Sequence, residues 1–433
     1  MFTRRSFFRS SAVALVAGGV RPASAQDAAL PPSLAALTSM KAQATPITSD
    51  ERRARIEKAR RLMAQHKIDA LMLTQGTSLV YFTNIHWGGG ERLTACVIPG
   101  QGEPFFVCPA FEEDRAREQI ALGPFGGGKA DVRTWNEDAS PYALVAGGLK
   151  DRGLVTGTLG IEETTKFVWS DSVAQAAPQL RLVSATPVVT GCRMIKGPHE
   201  IALMRLASQV TLKAYEAAYR ALKPGMTQDT VSALIAQAHD RLGFPGGAGA
   251  QVGSYTALPH GSIQPQTIRE GTIIMVDGGC AVEGYQSDIT RTFVLGTPTA
   301  KMNSVFTIVK QAQTATLKAA RPGVPLDALD AAARKVIVDA GYGPGFTFFS
   351  HRVGHGMGMD GHEWPYLVKH NMFGWEQALT LQPHMTFSNE PGIYIRGEFG
   401  VRLEDDLHIT ENGAELFTPQ SESLERPFGA SSS

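Results

Sequence analysis

Along the first part of the chain, short apolar runs alternate with amphipathic stretches. Past about residue 190 the pattern changes to long helical repeats. Ile56, Ala59, Leu62 and Met63 recur at helical spacing in the charged stretch Asp50–His66, with Ser49 or Asp50 placed to cap it. Strand-like runs follow at Ala70–Thr74, Leu79–Asn84, Leu93–Ile98 and Pro104–Cys108, then a helical Glu112–Leu122. This alternation predicts an α/β domain over residues 50–189. Beyond it, Glu200–Leu222 carries Ile201, Met204, Ala207 and Val210 at helical spacing and stops at Lys223-Pro224-Gly225. Gln228–Leu242 follows Thr227 as N-cap and ends at Gly243. The plan then recurs: Lys301–Ala320 and Leu326–Ala340 are helical, separated by Arg321-Pro322-Gly323 and closed by Gly341. Each unit leads through a histidine-bearing segment, His260 or His351–His362, into two β-runs folded about a glycine-containing turn, Gly271–Gly296 and Met385–Thr410. An internal duplication is predicted, helix-helix-hairpin twice over, forming an α+β domain over residues 190–433 with helices behind one sheet.

The two hairpins carry paired acids. Asp277 and Asp288 are equidistant from position 282.5, beside Glu283-Gly284, and Glu390 and Glu404 from Gly397. Hairpins closed there set each pair directly cross-strand, with Cβ atoms roughly 4.5–5.5 Å apart. Flanked by Ile273, Ile274, Met275, Val276, Phe293 and Val294, such pairs repel at high cost unless cations neutralise them. Between the hairpins, His351-Arg-Val-Gly-His355 and His362 place three histidines among glycines that permit close approach. Singly, an aspartate beside glycine is ordinary turn chemistry. Four carboxylates with one imidazole suit manganese, cobalt(II) or iron(II) in a two-metal centre better than a lone tetrahedral zinc.

Val276-Asp-Gly-Gly with Ser287-Asp-Ile-Thr-Arg-Thr, Gly354-His-Gly-Met-Gly with His362-Glu, Asn389-Glu-Pro-Gly-Ile-Tyr and Gly400-Val-Arg-Leu-Glu-Asp resemble, in order, the pita-bread metallopeptidase family. That family includes methionine aminopeptidases, Xaa-Pro aminopeptidases, prolidases and creatinase. The resemblance implies Asp277, Asp288, His355, Glu390 and Glu404 as ligands of two divalent ions, manganese first, with cobalt, iron or zinc as alternatives. Glu390 is the expected acceptor of a proton from a water that the two ions share and activate. His260, in Tyr255-Thr-Ala-Leu-Pro-His-Gly, resembles a donor to the leaving nitrogen, and His362 a group that stabilises the tetrahedral intermediate. His351 and Arg402 match positions lining the proline or carboxyl side of the pocket. Arg402 lies two residues before Glu404 on the same strand face, so neutralising the carboxylates is its plainer role.

Tyr81-Phe-Thr-Asn-Ile-His86-Trp87 resembles the segment where Xaa-Pro peptidases and creatinases carry a Tyr-Leu-Thr-Gly type sequence and where one subunit's N-terminal domain often reaches toward its neighbour's site, which implies a homodimer; packing of His86 and Trp87 in the core or on the surface is an equal alternative. The two-domain layout resembles the Xaa-Pro enzymes more than the single-domain methionine aminopeptidases. The substrate class so implied is a small peptide with proline in second position, cleaved by an Xaa-Pro aminopeptidase first and a dipeptidase second. That bond is a tertiary amide lacking an N–H. Creatinase-like amidine hydrolysis, a metal-bearing lyase and a metal-free peptide-binding module remain as alternatives; the complete ligand set weighs against the first and last. After His362, the run Glu363-Trp364-Pro365-Tyr366-Leu367 stands where many relatives carry an aspartate.

The N-terminus adds an address. Arg4-Arg5 before Phe7-Phe8, the apolar Ala12–Val20 and Ala23-Ser24-Ala25 read as a twin-arginine signal over residues 1–25, cleaved after Ala25. The apolar run is shorter than the ~20 residues that span a bilayer. A periplasmic or secreted protein without a stable membrane anchor is therefore expected. Residues 26–49, rich in Ala, Pro, Ser and Thr, read as a linker. Losing the leader's four arginines leaves 37 basic residues (41 less 4) against 41 acidic, a net charge of −4 with no basic patch for nucleic acid. Cys96, Cys108, Cys192 and Cys280 show no CxxC spacing. A Cys96–Cys108 bond is open, with buried thiols the preferred reading.

Overall fold

The computed structural model describes residues 30–126, 129–369 and 379–428. The expected signal at residues 1–25, and residues 26–29 of the expected linker, lie outside them. From residue 30 the linker expectation fails. Helix α1 (Pro32–Ala35) and a 3-10 turn (Lys41–Gln43) set Leu34, Met40 and Ile47 into the core of the C-terminal domain. Three apolar side chains among small polar ones are enough to dock the strap.

Helix α2 (Ser49–His66) starts one step earlier than expected, because Thr48 and Glu51 exchange hydrogen bonds in a capping box. After β1 (Ala70–Thr74) comes α3 (Thr77–Thr83), where a strand had been expected at Leu79–Asn84. A short buried apolar run has no period to tell helix from strand. Tertiary contacts decide: Arg52 and Arg55 donate to the Tyr81 carbonyl at 3.1 and 2.9 Å, satisfying an orphan group at the helix end. Strands β2 (Ala95–Pro99) and β3 (Phe105–Pro109), α4 (Glu113–Ala121), β4 (Asp131–Trp135), α5 (Pro141–Asp151), β5 (Gly157–Ile161), α6 (Phe167–Ala176), β6 (Leu180–Ser184) and α7 (Thr186–Arg193) complete the domain. Its sheet runs β4-β3-β2-β1-β5-β6, antiparallel only at β1–β2 and β2–β3. Leu71 and Leu73 pack on one face and Ala70 and Met72 on the other, so helices cover both. All four cysteines are buried free thiols.

The C-terminal domain repeats its plan. The first unit is α8 (Pro198–Tyr219), α9 (Gln228–Leu242), β7 (Gly246–Val252), β8 (Thr272–Val282), β9 (Tyr285–Gln286) and β10 (Ile289–Leu295). The second is α10 (Ala300–Ala319), α11 (Leu326–Asp339), β11 (His355–Gly356), β12 (Glu363–Tyr366), β13 (Thr386–Asn389), β14 (Gly392–Ile395), β15 (Phe399–Arg402), β16 (Asp405–Ile409) and β17 (Ala414–Leu416). One sheet runs β10-β8-β7, the other β12-β11-β13-β16-β17, with β14–β15 a separate ribbon. An apolar core backs each unit. They join front to front: Glu404 N donates to Thr290 O at 3.2 Å, Thr292 Oγ1 to Arg402 O at 2.7 Å and Arg291 Nη1 to Glu404 O at 2.8 Å. Among the described residues no helix is long and apolar enough to cross a membrane.

Candidate metal centre

The first hairpin turns at Glu283-Gly284, with φ of 51° and 86°, the paired positive values of a tight two-residue loop. That turn shifts the partner of Asp277 by two residues from the expected one: Asp277 pairs with Thr290, not Asp288. Asp288 falls in the gap between β9 and β10, continues the ladder opposite Gly279 and so lies diagonal to Asp277 on the same face. Only glycine fits at 279, since a Cβ there would come within 1.9 Å of Ser287 O. The second hairpin keeps its expected register. Gly392↔Arg402 on the ribbon and Asn389↔Asp405 on the sheet share one axis, which sets Glu390 opposite Glu404 where the ribbon leaves the sheet.

His355 sits on β11 between two glycines whose missing Cβ atoms would lie 2.0 Å from Ser388 O and 2.2 Å from Trp364 O. Its Nδ1 faces Gly356 O at 3.2 Å, so the proton resides there and the Nε2 lone pair faces Glu390 Oε1 at 3.4 Å and Asp288 Oδ2 at 3.9 Å. All nine residues expected at the site, His260, Asp277, Asp288, His351, His355, His362, Glu390, Arg402 and Glu404, line one cavity of about 370 Å³, with Arg352 and Val368. Donor atoms of Asp277, Asp288 and Glu404, and those of His355, Glu390 and Glu404, each fall within 4.8 Å of one another. Asp288, His355 and His362 form a third such group.

Charge explains what such a cluster needs. Burial, then the neighbouring acids, push Asp288 and Glu404 well above the carboxylate range. Burial likewise raises Glu390, to about 7, against the pull of Arg402. Burial lowers His351 and His355 to about 3 each, so both rings are neutral. Glu404 Oε1 is buried with no hydrogen-bond partner. Thr290 Oγ1 lies 2.9 Å from Asp277 Oδ1 and 2.6 Å from Glu404 Oε2, but its single proton serves one of them. A surplus of buried oxygen donors with one accessible imidazole nitrogen fits divalent cations, and Asp277, Asp288, His355, Glu390 and Glu404 could hold them.

Arg402 lines the cavity, but its donors are taken up by groups of the protein itself. It donates to Asp277 Oδ2 at 2.6 Å, Tyr394 Oη at 2.9 Å, Thr290 Oγ1 at 3.0 Å and Pro259 O at 3.0 Å. His351 Nε2 meets Tyr394 Oη at 2.7 Å. His362 stacks on His355, ring centroids 3.6 Å apart, and its Nδ1 lies 3.1 Å from Arg352 Nη2. A guanidinium only donates, so Nδ1 accepts and the neutral ring carries its proton on Nε2. Arg352 escaped the sequence reading, although its place beside His351 in His-Arg-Val-Gly-His was visible. So did the layer beneath: Asp406 takes Asp288 N at 3.0 Å and Ser208 Oγ at 2.9 Å, and burial pushes it to about 8. Arg291 pairs with Asp405 at 2.6 Å, both fully buried. After His362, Trp364 and Tyr366 are buried edge to face, 4.9 Å between centroids, so this departure packs the loop.

The profile of metallopeptidase family M24 matches residues 202–411, and that of the creatinase/prolidase N-terminal domain residues 55–195. The putative dipeptidase YkvY of Bacillus subtilis strain 168 is 32% identical over 351 residues, covering 80% of this chain and 92% of its own length. The Xaa-Pro dipeptidase of Lactobacillus delbrueckii subsp. lactis is 30% identical over 378 residues, covering 85% and 98%. The crystal structure of dipeptidase PepE from Mycobacterium ulcerans matches with a TM-score of 0.80 at 32% identity, covering 88% of this chain and 99% of that one.

Proposed function

The chain belongs to metallopeptidase family M24, and from that premise we propose that it is an Xaa-Pro dipeptidase, hydrolysing the bond before proline in free dipeptides. Arg352 is the observation that favours dipeptidase over aminopeptidase. Among the described residues it is a cavity-lining guanidinium with no carboxylate within ion-pair distance, held by His362 and by the Tyr366 ring at 4.5 Å. A dipeptide brings its own C-terminal carboxylate within reach of the scissile bond; a longer peptide does not. Both relatives described above carry dipeptidase names, one of them Xaa-Pro dipeptidase.

We assign Asp277, Asp288, His355, Glu390 and Glu404 to hold two divalent ions, manganese first. When bound, these supply Lewis acidity, lowering the pKa of water from ~15.7 towards neutrality and polarising the scissile carbonyl. Arg352 grips the proline carboxylate and so orients the amide. Glu390 Oε1, facing His355, is placed to take the water's proton. The His362 Nε2–H is a donor for charge developing on the carbonyl oxygen. His260, exposed at the rim, serves the leaving nitrogen. Arg402 holds Asp277 in place rather than touching substrate.

Metal-loaded protein is offered an Xaa-Pro dipeptide, its C-terminal amide and an Xaa-Pro tripeptide. Cleavage strongly favouring the free acid, and a KM for it raised by tenfold or more, ~1.4 kcal/mol, in Arg352→Met, supports the reading. Cleavage of none by fully loaded protein refutes it. We extend the proposal to a homodimer, which light scattering tests, and to twin-arginine export with cleavage after Ala25, which N-terminal sequencing of periplasmic protein tests.

A further inference from the structure

The stretch that carries His362 has little structure of its own. Residues 357–362 form neither helix nor strand, and Gly361 has open space where a side chain would stand. The two carboxylates flanking His362, Asp360 and Glu363, reach away from the catalytic cavity to the N-terminal domain. There Arg193, the last residue of α7, sets Nη2 2.5 Å from both Asp360 Oδ2 and Glu363 Oε2. Thr77 Oγ1 donates to the other oxygen of Asp360 at 2.5 Å, and Lys196 Nζ to the other oxygen of Glu363 at 2.7 Å. Arg193 Nη1 is steadied by Ser78 Oγ at 3.2 Å. Arg193, Lys196 and Glu363 are all buried. Gly358 makes room for this cluster, since a Cβ there would lie 2.5 Å from Glu363 Oε1 and 2.9 Å from Lys196 Cε.

A contact that only joined domains would need one acid anywhere on the interface. This one straddles a histidine. We propose that Arg193 is a positioning residue: by gripping Asp360 and Glu363 it fixes His362 at the cavity, so that the N-terminal domain completes the active site of its own chain. The inference rests on the peptidase reading for its kinetic consequence, but not for its structural one. Another contact between the domains supplies a control: His199 Nδ1 lies 2.8 Å from Glu51 Oε1 and Nε2 2.9 Å from Thr45 O, sharing no partner with the Arg193 cluster.

Arg193→Lys keeps the charge and loses the planar guanidinium whose Nη2 meets both carboxylates while Nη1 is held by Ser78. On the metal-loaded full chain, kcat for an Xaa-Pro dipeptide is expected to fall by about tenfold or more with KM within about twofold, because a positioned group displaced by about 1 Å costs up to ~10²-fold. Hydrogen exchange across 357–367 is expected to quicken while peptides from β8 and β16 stay unchanged. His199→Gln should alter neither. Unchanged kcat and exchange in Arg193→Lys overturn the proposal, as does the same pair of changes in His199→Gln, which marks general docking. If the wild type cleaves no Xaa-Pro dipeptide, the functional reading falls, while exchange still decides the positioning: quickening confined to 357–367 supports it and none overturns it. Should Arg193→Lys not fold, Asp360→Asn, at a partly exposed site, is read by the same two measurements.

Discussion

Replacing Glu390 by Gln tests the charge argument through two effects of opposite sign. In chelator-treated protein Glu390 is buried among acids, and burial holds its carboxyl at about 7 against the ordinary 4.5. A raised carboxyl favours the folded state fully below the unfolded value of about 4.5 and loses that contribution as pH rises through about 7. A shift of this size corresponds to about 3 kcal/mol. Gln has the same shape without the titration, so metal-free Glu390→Gln should match the wild type near pH 4 and exceed its stability at pH 8 by up to about 3 kcal/mol. Adding metal should reverse the order. Ligands that bind only the native state stabilise it by about 4 kcal/mol at a thousandfold excess over Kd, and the variant has lost a donor. Urea unfolding at both pH values, with chelator and with manganese, gives all four comparisons. A Gln variant that is less stable than wild type at pH 8 without metal, or an order that metal does not invert, would sink the electrostatic account of the cavity.

Other outcomes follow from the same contacts. Arg291→Met leaves fully buried Asp405 without its cation and should cost about 3–5 kcal/mol in urea unfolding, most of it recovered in the Arg291→Met/Asp405→Asn double variant. Gly354→Ala puts a Cβ 2.0 Å from Ser388 O, a backbone atom that cannot swing aside, so soluble folded protein should be lost, as circular dichroism would show. Chelation should abolish dipeptide cleavage and manganese restore it, with metal per chain followed by elemental analysis. Thr48→Ala removes the acceptor of the α2 capping box and should lower stability by about 1 kcal/mol in the same unfolding assay.

Legibility followed the strength of local signals. The second acid pair was read in its true register because Gly397 occupies the positive-φ turn on which Glu390 and Glu404 are centred. The first differs by two residues: midpoint counting assumes that the acids face each other, whereas the Glu283-Gly284 loop aligns Asp277 with Thr290. Both acids still share a face, because a diagonal offset preserves the strand's two-residue alternation. The duplicated helices were plain from their caps and Pro-Gly breaks. Helix α3 was missed because its apolar run is buried, and its conformation is set by Arg52 and Arg55 from a distant helix. The strap at Leu34 and Met40 was hidden by composition, and Arg352 by the histidines beside it. Arg193 and Asp406 carry no motif at all; their meaning lies in contacts across the chain.

The division of donors between the repeats has one further result. Asp277 and Asp288 come from the first, His355, Glu390 and Glu404 from the second, and Arg291 fastens one strand to the other. The first half brings two donors and the second three, so the full set for two ions exists only where the halves join, and a pair of ions held there would certify that both had folded and met. Occupancy would then be a quality mark on the finished molecule, and withholding the ion during refolding would separate the making of each half from their union.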